Sequence, residues 1–231
     1  MTKTQKLIAA VAAFVVIEIL LIKFVDLPLS LTMRQVEARN PGFTDFFRTV
    51  TDIGKSEWYL WGSSFGILLG AVILRLRVLN ERYGVIVAKT CHDLMFLFAG
   101  VAFSGILTNL LKQFFGRARP VEMLRHNNYG FYPLSFQHDL NSFPSGHSTT
   151  VMALATILAV LFPRHRLLWV VLAALLALSR VIVNAHYLAD IVAGTAVGTL
   201  TTLSIARLRN DKGMFPKMSG FFPIDKKHQN E

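Results

Sequence analysis

Residues 179–190, SRVIVNAHYLAD, gather an arginine, a histidine and an aspartate within one short stretch. His186 and Asp190 are four apart, a spacing that predicts one shared helix face with the carboxylate in reach of the ring. A carboxylate so placed fixes the imidazole tautomer and stabilises its charged form, as an active-site base or nucleophile requires. Arg180 adds a planar fork of donors suited to a phosphate or a carboxylate. The same residues also fit a plainer arrangement, an Arg–Asp pair at a helix junction beside an interfacial histidine.

Two further blocks carry similar chemistry. Residues 112–120, KQFFGRARP, supply two or three cations at the mouth of span three: Lys112 and Arg119, with Arg117 between them. A basic cluster snorkelling at a helix end is the alternative reading. Residues 141–147, NSFPSGH, precede a segment that opens Ser148, Thr149, Thr150. Gly146 permits close backbone approach, and amides at a helix start bind anions. A simple N-cap turn would account for Ser145 and Gly146 but leaves His147 without a role.

The elements that must position these blocks are membrane spans. The 231 residues are 53% hydrophobic and only 16% charged, with a mean hydropathy of +0.46. Six apolar runs approach or reach the roughly 20 residues that cross a bilayer: about 7–25, 58–76, 94–111, 148–162, 167–183 and 191–208. The predicted fold is therefore all-α, one polytopic membrane domain over residues 1–231 built as a six-span helical bundle. Between spans one and two, residues 26–55 carry breakers and recurrent aromatic residues, the pattern of one or two amphipathic helices in the interface. Residues 112–147 read as a long polar loop. Gly62, Gly66 and Gly70, and again Gly194 and Gly198, form small-residue stripes for close helix packing. Glu18 lies inside the first span, where an ionisable group faces the bundle or a watery cavity, in a structural or a functional role. The single Cys91 excludes an intrachain disulfide and any metal site built from several cysteines.

Charge sets the expected orientation. The net charge of +10 reads as membrane topology rather than as a nucleic-acid footprint. Lys3 and Lys6, a basic turn from Arg75 through Arg77 and Arg82 to Lys89, Arg164 and Arg166, and a polar tail at 209–231 with Lys212, Lys217, Lys226 and Lys227 all fall on one side of a six-span bundle. That places both termini in the cytoplasm and gathers the three chemical blocks on the outer face. His92 and Asp93 read as an interfacial pair at the basic end of span three.

Taken together, Lys-x6-Arg-Pro, Pro-Ser-Gly-His and Ser-Arg-x5-His-x3-Asp resemble the three-part signature of the type 2 phosphatidic acid phosphatase superfamily. The match holds at Lys112, Arg119, Pro120, Pro144, Ser145, Gly146, His147, Ser179, Arg180, His186 and Asp190, in order and spacing. Vanadium-dependent haloperoxidases share the signature at the site, but they are soluble, and the membrane spans count against them. The resemblance implies a metal-free, cofactor-free hydrolase of phosphate or diphosphate groups. His186 would be the nucleophile that becomes phosphorylated, and Asp190 would orient it. Lys112, Arg119 and Arg180 would hold the phosphoryl oxygens with Ser145 and the Gly146 amide, and Arg117 is a possible addition. His147 would protonate the leaving oxygen and then activate water. The expected partners are the bilayer and a lipid phosphate, with no nucleic acid. The expected location is a bacterial inner membrane with the site on its periplasmic face. Undecaprenyl diphosphate, phosphatidylglycerol phosphate, phosphatidic acid and lipid A are the candidate substrates, with residues 125–139 shaping the choice. A lipid phosphotransferase using the same phosphohistidine and a non-catalytic lipid-binding relative are the competing functions.

Overall fold

The computed structural model describes residues 1–212, with side chains described to residue 209. Among these residues helices are the only extended regular elements, with one isolated backbone bridge between Arg117 and Phe131. The helices are α1 (Lys3–Leu20), α2 (Asp26–Arg39), α3 (Pro41–Val50), α4 (Ser56–Leu76), α5 (Glu81–Phe115), α6 (Pro120–His126), α7 (Gly146–Leu161), α8 (Arg166–Ile182) and α9 (Leu188–Lys212). By length and composition, five helical runs can cross a membrane: Lys3–Arg39, Pro41–Leu76, Glu81–Phe115, Pro163–Ile182 and Leu188–Arg209. The shorter apolar helix α7 accompanies them.

The shortest of these is the centre of the bundle. One face of α7 (Val151, Met152, Ala155) packs on Ala173, Ala177 and Val181 of α8 and Ile191 of α9. Another places Ile157 against Phe96 and Ala99 of α5 and Ile205 and Ala206 of α9. In an apolar surround the hydrophobic effect does not drive helices together, so small residues that let backbones approach carry the packing. Gly194 and Gly198 do this for α9 on α7. A Cβ on Gly194 would sit 2.5 Å from the Ser145 carbonyl oxygen, and one on Gly198 would overlap the Thr149 carbonyl. The other stripe packs α4 on α5 at two of its three positions. A Cβ on Gly66 would meet Leu94 and one on Gly70 would meet Cys91, whereas Gly62 faces open space.

Several boundaries differ from the sequence expectation. The first helical run does not stop near residue 25: a π-helical turn, Leu21–Val25, carries α1 directly into α2. The segment 26–55 does hold two helices, α2 and α3, followed by a 3-10 turn, Thr51–Gly54. Ser30 of α2 donates to Asn184 Oδ1 at 2.8 Å and accepts from Asn184 Nδ2 through its carbonyl at 3.2 Å. That latch holds α2 against the turn that follows α8. Helix α5 begins at Glu81, capped by the Asn80 side chain, so Arg82 and Lys89 lie on a helix rather than in a basic turn. Asp93 accepts from Arg209 of α9 at 2.6 Å, a partner the sequence did not indicate. The expected polar tail begins as helix, since α9 runs to Lys212, and Lys217, Lys226 and Lys227 lie outside the described residues.

Candidate active site

The stretch from the end of α5 to the start of α7 is the scaffold of the site, and it is not a loose loop. Helix α5 ends at Gly116 in the left-handed region (φ 60°), where a Cβ would collide with the Tyr132 carbonyl. Residues 117–119 then leave the helix and are gripped from both sides. Ala118 N donates to Gly130 O at 2.9 Å and Tyr132 N to Gly116 O at 2.7 Å, while Ser142 N donates to Arg117 O and Arg119 N to Asp139 O, each at 2.9 Å. The sequence block with the cations is thereby tied to the block that leads into α7.

The second junction is made by backbone as well. Ser145 caps α7, its Oγ accepting from Ser148 N, and its own N–H donates to the Asp190 carbonyl at 2.8 Å. Ser145 and Asp190, 45 residues apart in sequence numbering, are neighbours because Gly194 lets the start of α9 lie against the start of α7.

His186 is not on a helix, contrary to the expected i,i+4 face. Helix α8 ends at Ile182, Asn184 takes a left-handed conformation (φ 54°), and the N–H groups of Ala185 and His186 return to the Arg180 carbonyl. The chain reverses and α9 begins at Leu188. Asp190, in the first turn of α9, reaches back so that Oδ2 accepts Tyr187 N at 3.0 Å, as an acidic residue near a helix start does. The same oxygen lies 3.4 Å from His186 Nδ1 and 2.5 Å from Ser142 Oγ, and Ser142 Oγ is 3.3 Å from that ring nitrogen. The couple inferred from the spacing is therefore present, held by a helix start rather than a helix face. His186 is 3% exposed, and burial pushes its pKa well below the ordinary histidine value, opposed by the Asp190 carboxylate.

Arg117 is placed differently from Lys112, Arg119 and Arg180. Its Nη1 donates to Asp190 Oδ1 and its Nη2 to Asp26 Oδ2, both at 2.7 Å, and Nη2 also bonds Tyr129 Oη at 3.1 Å. Tyr187, Phe131 and Tyr129 surround the guanidinium at 4.3, 5.4 and 5.6 Å from their ring centres. The fork expected to be available to an anion is thus occupied by two carboxylates. The Asp190 and Asp26 charges raise the pKa of this guanidinium against the opposing effect of burial. Asp26 in turn accepts Ala189 N at 3.1 Å, and Tyr129 Oη donates to the Ile22 carbonyl at 2.5 Å.

The other cations converge on the same region. Lys112 Nζ donates to the Asn141 carbonyl at 2.7 Å and lies within electrostatic reach of both His147 and His186. Arg119 Nε donates to the His138 carbonyl at 3.0 Å and acts electrostatically on His186 and Arg180. Burial lowers the Arg119 pKa, yet a guanidinium stays charged. Arg180 Nη1 donates to Thr51 Oγ1 at 3.2 Å, and its Nε is buried with no partner among the described residues. His147 packs against the 3-10 turn, where a Cβ on Gly54 would stand 3.0 Å from its Cδ2. It borders a polar cavity of about 160 Å³ that Gly146, Asn109 and Lys55 also line. Ser142, Asp26, Tyr129 and Thr51 are site residues that the sequence reading missed. Among the described residues no group of three or more His, Cys, Asp or Glu is placed to hold a metal ion.

By fold and site this is a polytopic helical protein in which a histidine–carboxylate couple, three cations within electrostatic reach of the two histidines and the start of α7 share one end of the bundle. The chain belongs to the PAP2 superfamily, whose family model matches residues 93–214. It is 46% identical over 116 residues to the lipid A 1-phosphatase of Rhizobium johnstonii, covering 48% of each chain. The lipid A 1-phosphatase of Rhizobium etli gives the same identity, covering 48% of this chain and 50% of that one. The chain thus spans about half the length of these curated relatives. Bacitracin transport permease protein BcrC of Bacillus licheniformis is 26% identical over 70% of this chain and 77% of its own. Two solved structures share the fold. LpxE of Aquifex aeolicus has a TM-score of 0.53 at 20% identity, over 79% of this chain and 94% of that one. The transmembrane PAP2-type phosphatidylglycerolphosphate phosphatase of Bacillus subtilis has a TM-score of 0.55 at 21% identity, over 88% and 96%.

Proposed function

We propose that this chain is a metal-independent membrane lipid phosphatase that works through a phosphohistidine. The observation that carries the reading is the single hydrogen-bonded unit around Asp190. Its carboxylate meets His186, Ser142 and Arg117, while its backbone carbonyl receives the N–H of Ser145. Nucleophile, orienting carboxylate and anion-binding helix start are one rigid piece. With Nδ1 turned to Asp190, the Nε2 of a neutral His186 attacks phosphorus. The bond to the leaving oxygen breaks, and His147 gives that oxygen its proton. His147 then takes a proton from water, whose oxygen attacks phosphorus, breaks the phosphorus–nitrogen bond and releases phosphate. Lys112, Arg119 and Arg180 neutralise the equatorial oxygens, the main catalytic demand of phosphoryl transfer. The unpartnered Nε of Arg180 supports its part in this set. Arg117, fully engaged with Asp26 and Asp190, is assigned to positioning the carboxylate.

Among the candidate lipids we assign a phosphate of lipid A, supported by the names of the Rhizobium relatives. Six spans counting α7, cytoplasmic termini and a periplasmic site in the inner membrane complete the proposal, supported by the one-sided distribution of Lys3, Lys6, Arg75, Arg77, Arg164 and Arg166. The test is release of inorganic phosphate from a panel of the four lipid phosphates in detergent. Vanadate-sensitive release that is greatest with lipid A and vanishes in His186→Ala is expected. Purified protein inert on all four lipids would end the phosphatase reading, and transfer of the phosphate to a lipid hydroxyl would replace it with a phosphotransferase.

A further inference from the structure

An apolar groove of about 430 Å³ lies between α1, α5 and α9. Phe14, Leu107, Leu111 and Val197 are among its walls, and Phe143 and Pro144 form part of its lining at the site end. These two residues stand between Ser142, which bonds His186 and Asp190, and Ser145, which caps α7. The groove therefore ends beside the phosphoryl site. Within its largely hydrocarbon lining sits one carboxyl group, that of Glu18, 6% exposed and with neither oxygen hydrogen-bonded among the described residues.

A buried carboxyl without a partner is costly, more so at bilayer depth, and persists where something else completes it. A trapped water is a poor candidate because it needs two to four polar partners, and beside Glu18 the lining offers a single polar side chain, Thr201. The completing group has to arrive on an apolar body. Glu18 precedes Asp26 by eight residues, about 12 Å along a helix, so it lies below the site at the depth of the first carbons of an acyl chain. A hydroxyl both donates and accepts, and so can satisfy a carboxyl in either protonation state.

Resting on the phosphatase reading above, we propose that the groove seats one acyl chain of the lipid phosphate, and that Glu18 selects a chain bearing a hydroxyl near its carbonyl end. The experiment uses the full chain in detergent with two lipid phosphates that differ only by that hydroxyl. The hydroxylated lipid is expected to have the higher kcat/KM by about 10–100-fold, the worth of one buried polar group left unpaired or paired. In Glu18→Leu the ratio falls to about one, and Glu18→Gln keeps part of it. Wild-type protein without discrimination, or a preference that survives Glu18→Leu, overturns the inference. The corresponding non-hydrolysable phosphonates, compared by the rise in melting temperature they produce, read the groove without catalysis. Protein that discriminates between the phosphonates but releases no phosphate defeats the phosphatase reading while leaving the groove assignment intact. Turnover without discrimination does the reverse.

Discussion

Removing one charge from a residue that touches neither lipid nor phosphate is expected to loosen the whole site. Asp26 and Arg117 are fully buried, and the guanidinium bonds Asp26 and Asp190 at 2.7 Å each. Charge centres about 4 Å apart attract by roughly 4 kcal/mol at the effective dielectric that best describes protein sites. Measured losses on deleting one member of a buried pair run about 3–5 kcal/mol. Asp26→Asn keeps the shape. Its single oxygen can serve Arg117 or the Ala189 N–H but not both, and its amide then points a donor at a donor. The expected loss is about 3–5 kcal/mol, or on the order of 10 °C in melting temperature for a chain of this size. Turnover should fall with little change in KM, because Asp26 acts through Arg117 and Asp190. Thermal unfolding in detergent of Asp26→Asn, Arg117→Met and the double variant checks this. The double variant should lose at least about 1 kcal/mol less than the sum of the singles. Additive losses, or an Asp26→Asn protein melting within about 2 °C of wild type, would refute the bridge.

Asp190→Asn should fold yet slow turnover by roughly 10²–10⁴-fold, because the amide can present a donor to Nδ1 and favours the wrong tautomer; near wild-type rates would remove Asp190 from the mechanism. His186 is held neutral by burial, so the acid limb of kcat/KM assigned to it should lie below pH 6.5, and a midpoint above 7 would contradict the buried ring. The same shift has a signed effect on stability. The unfolded chain binds the proton near the ordinary histidine value and the folded chain only well below it, so stability falls as pH drops through about 6.5, and this share of the fall should be missing in His186→Gln. Arg119→Ala and Arg180→Ala should each lose about 10²–10³-fold in kcat/KM, whereas Arg77→Ala at the opposite end of α4 should be near wild type; equal losses would dissociate the two arginines from the phosphate. Phosphate release should survive a chelator, and activity lost to chelation and restored by magnesium would overturn the metal-independent assignment.

What was legible in the sequence were short blocks of distinctive residues, and what was not were backbone turns and pairings between distant blocks. Lys112, Arg119, Ser145, Gly146, His147, Arg180, His186 and Asp190 stood out because each block is short and its residue types have few other uses at such spacing. The stripes of Gly194 and Gly198 were legible for the same reason, since a period of four on an apolar helix has one geometric meaning. The conformation of the 183–187 turn was not legible. Reading His186 and Asp190 as one helix face ignored that Asn184 tolerates a left-handed backbone, which ends α8 and lets Asp190 cap the next helix. Asp26 was invisible because its partner Arg117 lies 91 residues away, and an aspartate two residues before Pro28 looks like a turn signal when read locally.

The long-range pairing also explains why Arg117 misled. From spacing alone, an arginine between two cations proposed to bind phosphate reads as a third. A third free guanidinium would compete with His186 for the Asp190 carboxylate unless a second carboxylate balanced it, and Asp26 supplies that balance from the end of the first helical run. On the proposed mechanism the N-terminal run, outside the segment the family model matches, serves the site through two side chains. Asp26 braces Asp190 through Arg117, and Glu18, two turns below, would face the acyl chain of the proposed substrate. Exchanging this run for an apolar helix of equal length should cost turnover and acyl-chain selectivity together, whereas a run that served only as an anchor would cost neither.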